Sequence, residues 1–198
     1  FVLDDMQKGT AKIIECIKKK NKIGIFGDYD VDGSSATAIL CNYFSEIGVE
    51  YEYHIPDRKK EGYGPNIEAF LSLKEKDCKL ILTLDCGITA LKSIKHIKNE
   101  GVEVIVVDHH MEADSLPEAY AIINPNKKSD SSKLDNLCAT GVVFFLIISI
   151  NRELKKLDYY KSNLPNLIKY LDLVALATIC DLVKLDNINR AFVKQGIK

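Results

Sequence analysis

No apolar run in this chain of 198 residues is long enough to cross a bilayer: the longest, around Gly141 to Ile150, falls well short of the roughly 20 residues a span needs. No membrane segment is expected. The opening FVLDDMQKGT carries two acids and lacks the basic-then-apolar order of a secretory signal. There is no CxxC pair among the six cysteines (Cys16, Cys41, Cys78, Cys86, Cys138, Cys180), which argues against a zinc ribbon or a small disulfide framework. Six reduced thiols in a cytoplasmic-type protein are expected instead. Internal repeats are also missing, and so is net charge: at −1 the whole-molecule field does not draw in a polyanion, which must find local basic patches. What remains is a chain 46% hydrophobic and 28% charged, able to bury a core of its own.

Apolar spacing predicts the order of elements. Lys22 to Phe26, Tyr51 to Ile55, Lys79 to Leu84 and Val102 to Val107 read as strands, with Ala119 to Ile123 as a fifth. Ser34 to Ile47, Asn66 to Leu73 and Ile88 to Lys98 read as the intervening helices. The almost unbroken β-branched run VEVIVV is what a strand covered on both faces looks like. Strands alternating with helices in this way predict an α/β fold: a doubly wound, mainly parallel five-stranded sheet flanked by helices. Helical pattern then continues from Ala139 to the end, as a helical C-terminal portion, with Lys127 to Lys133 (KKSDSSK) expected as a surface loop between the two parts.

Ligands of open parallel sheets bind beyond the carboxyl ends of the strands. Three predicted strands end there in acids: KIGIF runs into Asp28, Asp30 and Asp32, KLILTL into Asp85, and VEVIVV into Asp108, His109 and His110. Asp181 follows the apolar helix LVALATIC. Carboxylates gathered on one edge repel unless a cation neutralises them, and oxygen ligands with an imidazole suit Mn²⁺ or Mg²⁺ better than Zn²⁺ or copper. The spacing Asp28-x-Asp30-x-Asp32-Gly33 also matches the start of a calcium-binding EF-hand loop, but Ile39 stands at the twelfth position where that loop needs Glu, and a strand precedes it. Taken singly, Asp85 reads equally well as the cap of the helix near Ile88.

The motifs GDYDVDG (Gly27 to Gly33), LTLDCGIT (Leu82 to Thr89), VVDHH (Val106 to His110) and TICDLVKL (Thr178 to Leu185), in this order and spacing, resemble the DHH phosphoesterase superfamily. The flanks IPDRKKEGYG, IINPN, LCATGVVFFL and NRAFVKQGI are most like those of its RecJ-type single-strand-specific exonucleases. Two departures stand out: Phe26 replaces a common histidine, and ICDLVKL replaces the more usual IADVVPL while keeping its acid. The resemblance implies that residues 1–198 form the DHH catalytic domain, with DHHA1-type and oligonucleotide-binding domains of the same protein to follow.

It further implies two divalent ions, Mn²⁺ preferred and Mg²⁺ the alternative, held by Asp28, Asp30, Asp32, Asp85, His109 and Asp181, with Asp85 as the bridge and no covalent enzyme intermediate. Asp108 is expected to support the imidazole of the metal ligand His109, and His110 to face the scissile phosphate as a charge stabiliser or proton donor. Gly33 and the amides from Ser34, together with Arg58, are expected to hold substrate phosphate, while Tyr63 reads equally well as stacking on a base or as packing. The implied activity is 5′-to-3′ hydrolysis of single-stranded DNA in repair and recombination. The alternatives are a phosphodiesterase of short oligoribonucleotides or cyclic dinucleotides and a non-catalytic replication scaffold.

Overall fold

The structure, a computed structural model, describes residues 3–157 and 164–198. The elements run α1 (Met6–Lys18), β1 (Lys22–Gly27), α2 (Val31–Glu46), β2 (Tyr51–His54), α3 (Ile67–Glu75), β3 (Cys78–Leu84), α4 (Leu91–Asn99), β4 (Glu103–Val107), β5 (Ala121–Ile123), α5 (Ala139–Lys156), α6 (Leu171–Cys180) and α7 (Asn187–Gly196). A short 3₁₀ turn, Leu167–Tyr170, leads into α6. The predicted helical stretch after Ala139 also takes in residues 158–163, which lie outside the described residues.

The five strands form one sheet in the order β2-β1-β3-β4-β5, every neighbouring pair parallel. Alternation sorts the side chains: Ile23, Ile25, Leu80, Leu82, Leu84, Ile105 and Val107 pack under α1, α2 and α5, whereas Phe26, Ile81, Val104 and Val106 pack under α3 and α4. Covering both faces explains why β4 is buried from Val104 onward. Since β1 continues to β2 on one side and lies beside β3 on the other, the chain changes direction between β1 and β3. A crevice opens at their carboxyl ends.

Two boundaries differ from the sequence reading by a turn of helix, for local reasons. α2 starts at Val31 because Asp30 is its cap, accepting the Gly33 amide at 2.9 Å. α4 starts only at Leu91, and Asp85 does not cap it: the cap position is Ala90, without a side-chain bond. The expected surface loop from Lys127 to Lys133 is present, with Lys127 itself the exception at 6% exposed. Its ammonium reaches the Ile122 carbonyl at 3.1 Å and Asp4 at 2.7 Å, while Asp5 accepts the Ile122 amide at 2.9 Å. Both peptide groups of this residue in edge strand β5 are thereby satisfied by side chains.

α2 lies unusually close to the end of β1. A Cβ added at Gly27 would meet Thr37 Oγ1 at 1.9 Å, and that hydroxyl is already bonded to the Gly33 carbonyl at 2.8 Å. Gly27→Ala is therefore expected to lower stability by about 1–3 kcal/mol through overpacking, or roughly 3–10 °C in Tm for a chain of this size. Thermal unfolding by circular dichroism measures it, and an unchanged Tm would mean that α2 has room to retreat.

Candidate metal centre

Each strand bordering the crevice ends in an acid whose amide extends the sheet by one bond. Asp28 N–H donates to Leu84 O, Asp85 N–H to Val107 O and Asp108 N–H to Ile123 O, at 3.2, 3.0 and 3.1 Å. Sheet pairing thus sets three carboxylates side by side, all at most 3% exposed. Asp85 takes a positive φ of 61°, a conformation Asp tolerates better than most residues. Gly33, inside the first turn of α2, lets the helix close on Asp28: an added Cβ would sit 2.6 Å from the Asp28 Cβ. From the far side, the end of α6 supplies Asp181.

Ligating atoms fall into three groups, each within 4.8 Å: Asp28, Asp30 and Asp85; Asp85, His109 and His110; and Asp32, His109 and Asp181. Asp85 and His109 each belong to two of them. One imidazole nitrogen, His109 Nε2, lies 3.3 Å from Asp85 Oδ1, 3.6 Å from Asp181 Oδ2 and 3.8 Å from Asp32 Oδ2. The first three of these atoms, His109 Nε2, Asp85 Oδ1 and Asp181 Oδ2, are buried without a hydrogen-bond partner. Buried polar atoms left unsatisfied cost about 1–3 kcal/mol each. Three of them converging on one point, two carboxylate oxygens and one imidazole nitrogen, make a donor set suited to a divalent cation.

Charge on these acids is expensive in this setting. Burial, reinforced by Asp32 and Asp30, pushes the Asp85 carboxyl up to about 10; burial likewise raises Asp28 and Asp181. Asp32 is treated differently by the fold. Its two oxygens accept the amides of Ala139 and Thr140, at 2.7 and 2.8 Å, so it caps α5 from 107 residues away. Residues that distant in sequence offer no local pattern from which the cap could be read.

Asp108 corrects one expectation. Its Oδ1 accepts from the ring Nδ1 of His110 at 2.7 Å, not from His109, and from the amides of both histidines; its Oδ2 accepts the Ile88 amide at 3.0 Å. The carboxylate curls back over its own backbone and meets the ring two residues on. That hydrogen bond raises the His110 pKa, while Asp108, despite full burial, is lowered by the same partner and its backbone donors. A second correction concerns phosphate binding at the start of α2: the Gly33 amide is taken by Asp30 Oδ1 and the Ser34 amide by Asp30 O. Neither amide is free to meet a phosphate.

Arg58 lies over the ring of Tyr29, 5.6 Å from guanidinium carbon to centroid, which brings it beside the Asp28–Asp32 segment. Phe26, in the position of the common histidine, is fully buried against His54 and Phe70. Two positioning residues escaped the sequence reading: Asn124 donates to His110 O at 2.9 Å, and Asn126 donates to His109 O. Their signal was the Asn-Pro-Asn turn directly after β5.

Comparison with known proteins places this arrangement. The profile described as "DHH family, N-terminal domain" matches residues 22–178. The chain belongs to the DHH family. Among DHH-family relatives, the Bacillus subtilis (strain 168) protein named single-stranded-DNA-specific exonuclease RecJ is 36% identical over 198 residues, all of this chain and 24% of the relative. The Escherichia coli (strain K12) protein of the same name is 33% identical over 199 residues, covering 98% of this chain and 34% of its own length. A solved exonuclease RecJ bound to manganese superimposes with a TM-score of 0.86 at 32% identity, over all of this chain and 48% of the other. RecJ from Thermus thermophilus in complex with Mn²⁺ gives 0.81 at 30%, over all of this chain and 27% of the other. The chain thus spans about a quarter to a third of these curated relatives.

The raised acids fix a pH dependence for the metal-free protein. A carboxyl with a folded pKa above its unfolded value of about 3.9 holds a proton that the unfolded chain has released, so raising pH favours unfolding. For Asp85 that window runs from about pH 4 up to about 10. His110 acts in the same direction, its stabilisation complete below about pH 6.5 and lost as pH rises through its raised value. Without metal, Tm is expected to fall between about pH 5 and pH 9, and excess Mn²⁺ should flatten the slope. Asp85→Asn should raise the metal-free Tm at pH 8 by about 3 °C or more and abolish the Mn²⁺-dependent rise. A lower metal-free Tm in this variant would mean that the Asp85 charge is not a burden.

Proposed function

We propose that residues 1–198 form the metal-binding catalytic domain of a hydrolase that cleaves phosphodiester bonds of single-stranded DNA from the 5′ end, working with two divalent ions, Mn²⁺ by preference and Mg²⁺ as the alternative. The observation that carries this reading is the convergence of three partnerless buried atoms, from Asp85, His109 and Asp181, on one point of the crevice. The RecJ names and manganese-bound structures of its relatives support the choice of substrate and ion. Their greater length supports a protein in which DHHA1-type and oligonucleotide-binding domains complete the path of the strand.

In this reading Asp28, Asp30, Asp32, Asp85, His109 and Asp181 would hold the ions between them, Asp85 and His109 each belonging to two of the three groups of ligating atoms. When bound, a pair of divalent ions neutralises phosphate charge and lowers the pKa of water, supplying the nucleophile for an in-line displacement. The chain's own groups do the rest. Asp108 keeps the His110 ring oriented and its Nδ1 protonated, leaving Nε2 to hydrogen-bond the phosphate or give a proton to the departing oxygen. Arg58, steadied by Tyr29, grips a substrate phosphate with two parallel N–H groups. Gly33 contributes close packing in place of the phosphate contact first expected of it and Ser34.

Assay of the intact protein with Mn²⁺ on end-labelled single-stranded DNA, RNA and cyclic dinucleotides tests the proposal. Mononucleotide release from DNA is expected; preference for RNA or cyclic dinucleotides would replace the DNA reading, and Mn²⁺ binding without hydrolysis of any of them would favour a scaffold. Two substitutions separate the roles. His110→Gln should lower kcat by about 100-fold or more with Mn²⁺ affinity retained. Arg58→Ala should raise KM, again leaving Mn²⁺ affinity as it was, and loss of metal binding in Arg58→Ala would make its loop structural.

A further inference from the structure

One acid of the metal centre is held differently from its neighbours. Asp85 Oδ1 and Asp181 Oδ2 are buried without a partner, whereas Asp32 is bonded through both carboxylate oxygens and through its backbone carbonyl. The last of these bonds comes from a side chain that none of the roles above uses, the hydroxyl of Thr140. We propose that Thr140 is a positioning residue for the metal centre, which aims the Asp32 carboxylate at the ion that Asp32, His109 and Asp181 would share. The proposal rests on the metal-binding reading of the crevice and adds to it the means by which one ligand is held ready for the ion.

Thr140 is fully buried in the first turn of α5. Its amide donates to Asp32 Oδ1 at 2.8 Å and its hydroxyl to Asp32 O at 2.8 Å, while the Ala139 amide donates to Asp32 Oδ2 at 2.7 Å. The two amides alone would let the carboxylate and the backbone behind it swing together about the end of α5. The hydroxyl removes that freedom, because three fixed atoms of one residue define its orientation. Each carboxylate oxygen has lone pairs for two partners, so one amide apiece leaves room for a cation. Asp32 Oδ2 lies 3.8 Å from His109 Nε2, the atom around which the group gathers.

The same end of α5 reaches the helix that leads to Asp181. Thr178, in α6 and one turn before Asp181, spends its hydroxyl proton on the Val174 carbonyl at 2.6 Å. Its oxygen is left to accept from the thiol of Cys138, 3.7 Å away. Cys138 is the residue directly before α5. Residues 138–140 thus join α2 to α6 at the level of two acids of one ligating group, with Ala139 and Thr140 gripping Asp32 itself and Cys138 bearing on the helix behind Asp181.

A buried hydroxyl could also serve only to pack α5 against its neighbours, and α5 itself supplies the comparison. Further along the helix, Ser149 accepts a hydrogen bond from the Thr10 hydroxyl of α1 at 2.8 Å, and both residues are buried. That pair ties α5 into the fold as firmly as Thr140 does, yet it touches no acid of the centre. Partners that hold a ligating carboxylate act on metal affinity as well as on stability, and their loss typically lowers affinity about 10–100-fold. The two hydroxyls therefore separate positioning from packing within one helix.

Calorimetric titration with Mn²⁺ and thermal unfolding without metal, both on the intact protein, test the assignment. Thr140→Val, which keeps the shape and deletes the hydroxyl, is expected to bind Mn²⁺ about tenfold more weakly than the wild type, and Thr140→Ser to bind it as the wild type does. Thr10→Val should lower the metal-free Tm by a few degrees, as loss of a buried hydrogen bond does, with Mn²⁺ affinity unchanged. If Thr140→Val does not fold, Thr140→Ala, which deletes the same hydroxyl without crowding, carries the same expectation. Wild-type Mn²⁺ affinity in the variant lacking the Thr140 hydroxyl, or an equal loss of affinity in Thr10→Val, would overturn the positioning role and leave the metal centre standing. Binding as weak in Thr140→Ser as in Thr140→Val would overturn it too, since the methyl group and not the hydroxyl would then be at work. A wild-type protein that binds no Mn²⁺ would remove the metal-binding reading itself.

Discussion

Electrostatic repulsion among buried carboxylates governs this molecule. A parallel sheet delivers successive strand ends to the same edge, and here the ends of β1, β3 and β4 all deliver an aspartate. Asp85 sits in the middle, nearly sealed from water, with Asp32 and Asp30 close enough to oppose its ionisation. Alone, the protein can relieve that opposition only by holding protons. A divalent cation relieves it by charge, so the energetic cost of the metal-free arrangement becomes affinity for the ion.

The surrounding structure prevents the acids from escaping this conflict. Asp32 is clamped by the first amides of α5, Asp108 by the Ile88 amide and the His109 and His110 backbone, and Asp28 by the close approach of α2 through Gly33. Asn124 and Asn126 hold the two histidines by their carbonyls. Of the three groups of ligating atoms, one offers only carboxylates, those of Asp28, Asp30 and Asp85, whereas the other two include the His109 imidazole.

Much of this was legible in the chain itself. Alternation between β-branched runs and helical spacing marked all five strands, and the rule that ligands bind at strand carboxyl ends turned scattered acids into one site. Errors arose where side chains act on backbone at a distance or against local habit. The cap that starts α2 is a motif aspartate, Asp30, so the helix begins earlier than apolar spacing alone implies. Asp108 pairs with His110 because a carboxylate held by its own following amides is aimed two residues ahead, a direction that adjacency to His109 conceals. Lys127 sat in a polar stretch that composition marks as loop, and only the position of Asp4 and Asp5 in space explains its burial.

That lysine has a consequence for how molecules of this protein meet one another. Exposed edge strands are templates for pairing with another chain. At β5 the amide and carbonyl of Ile122 are already taken by Asp5 and Lys127, so an incoming strand would have to displace the ion-paired Lys127 before forming its first ladder bond. Strand addition is thereby discouraged at the β5 edge of the sheet.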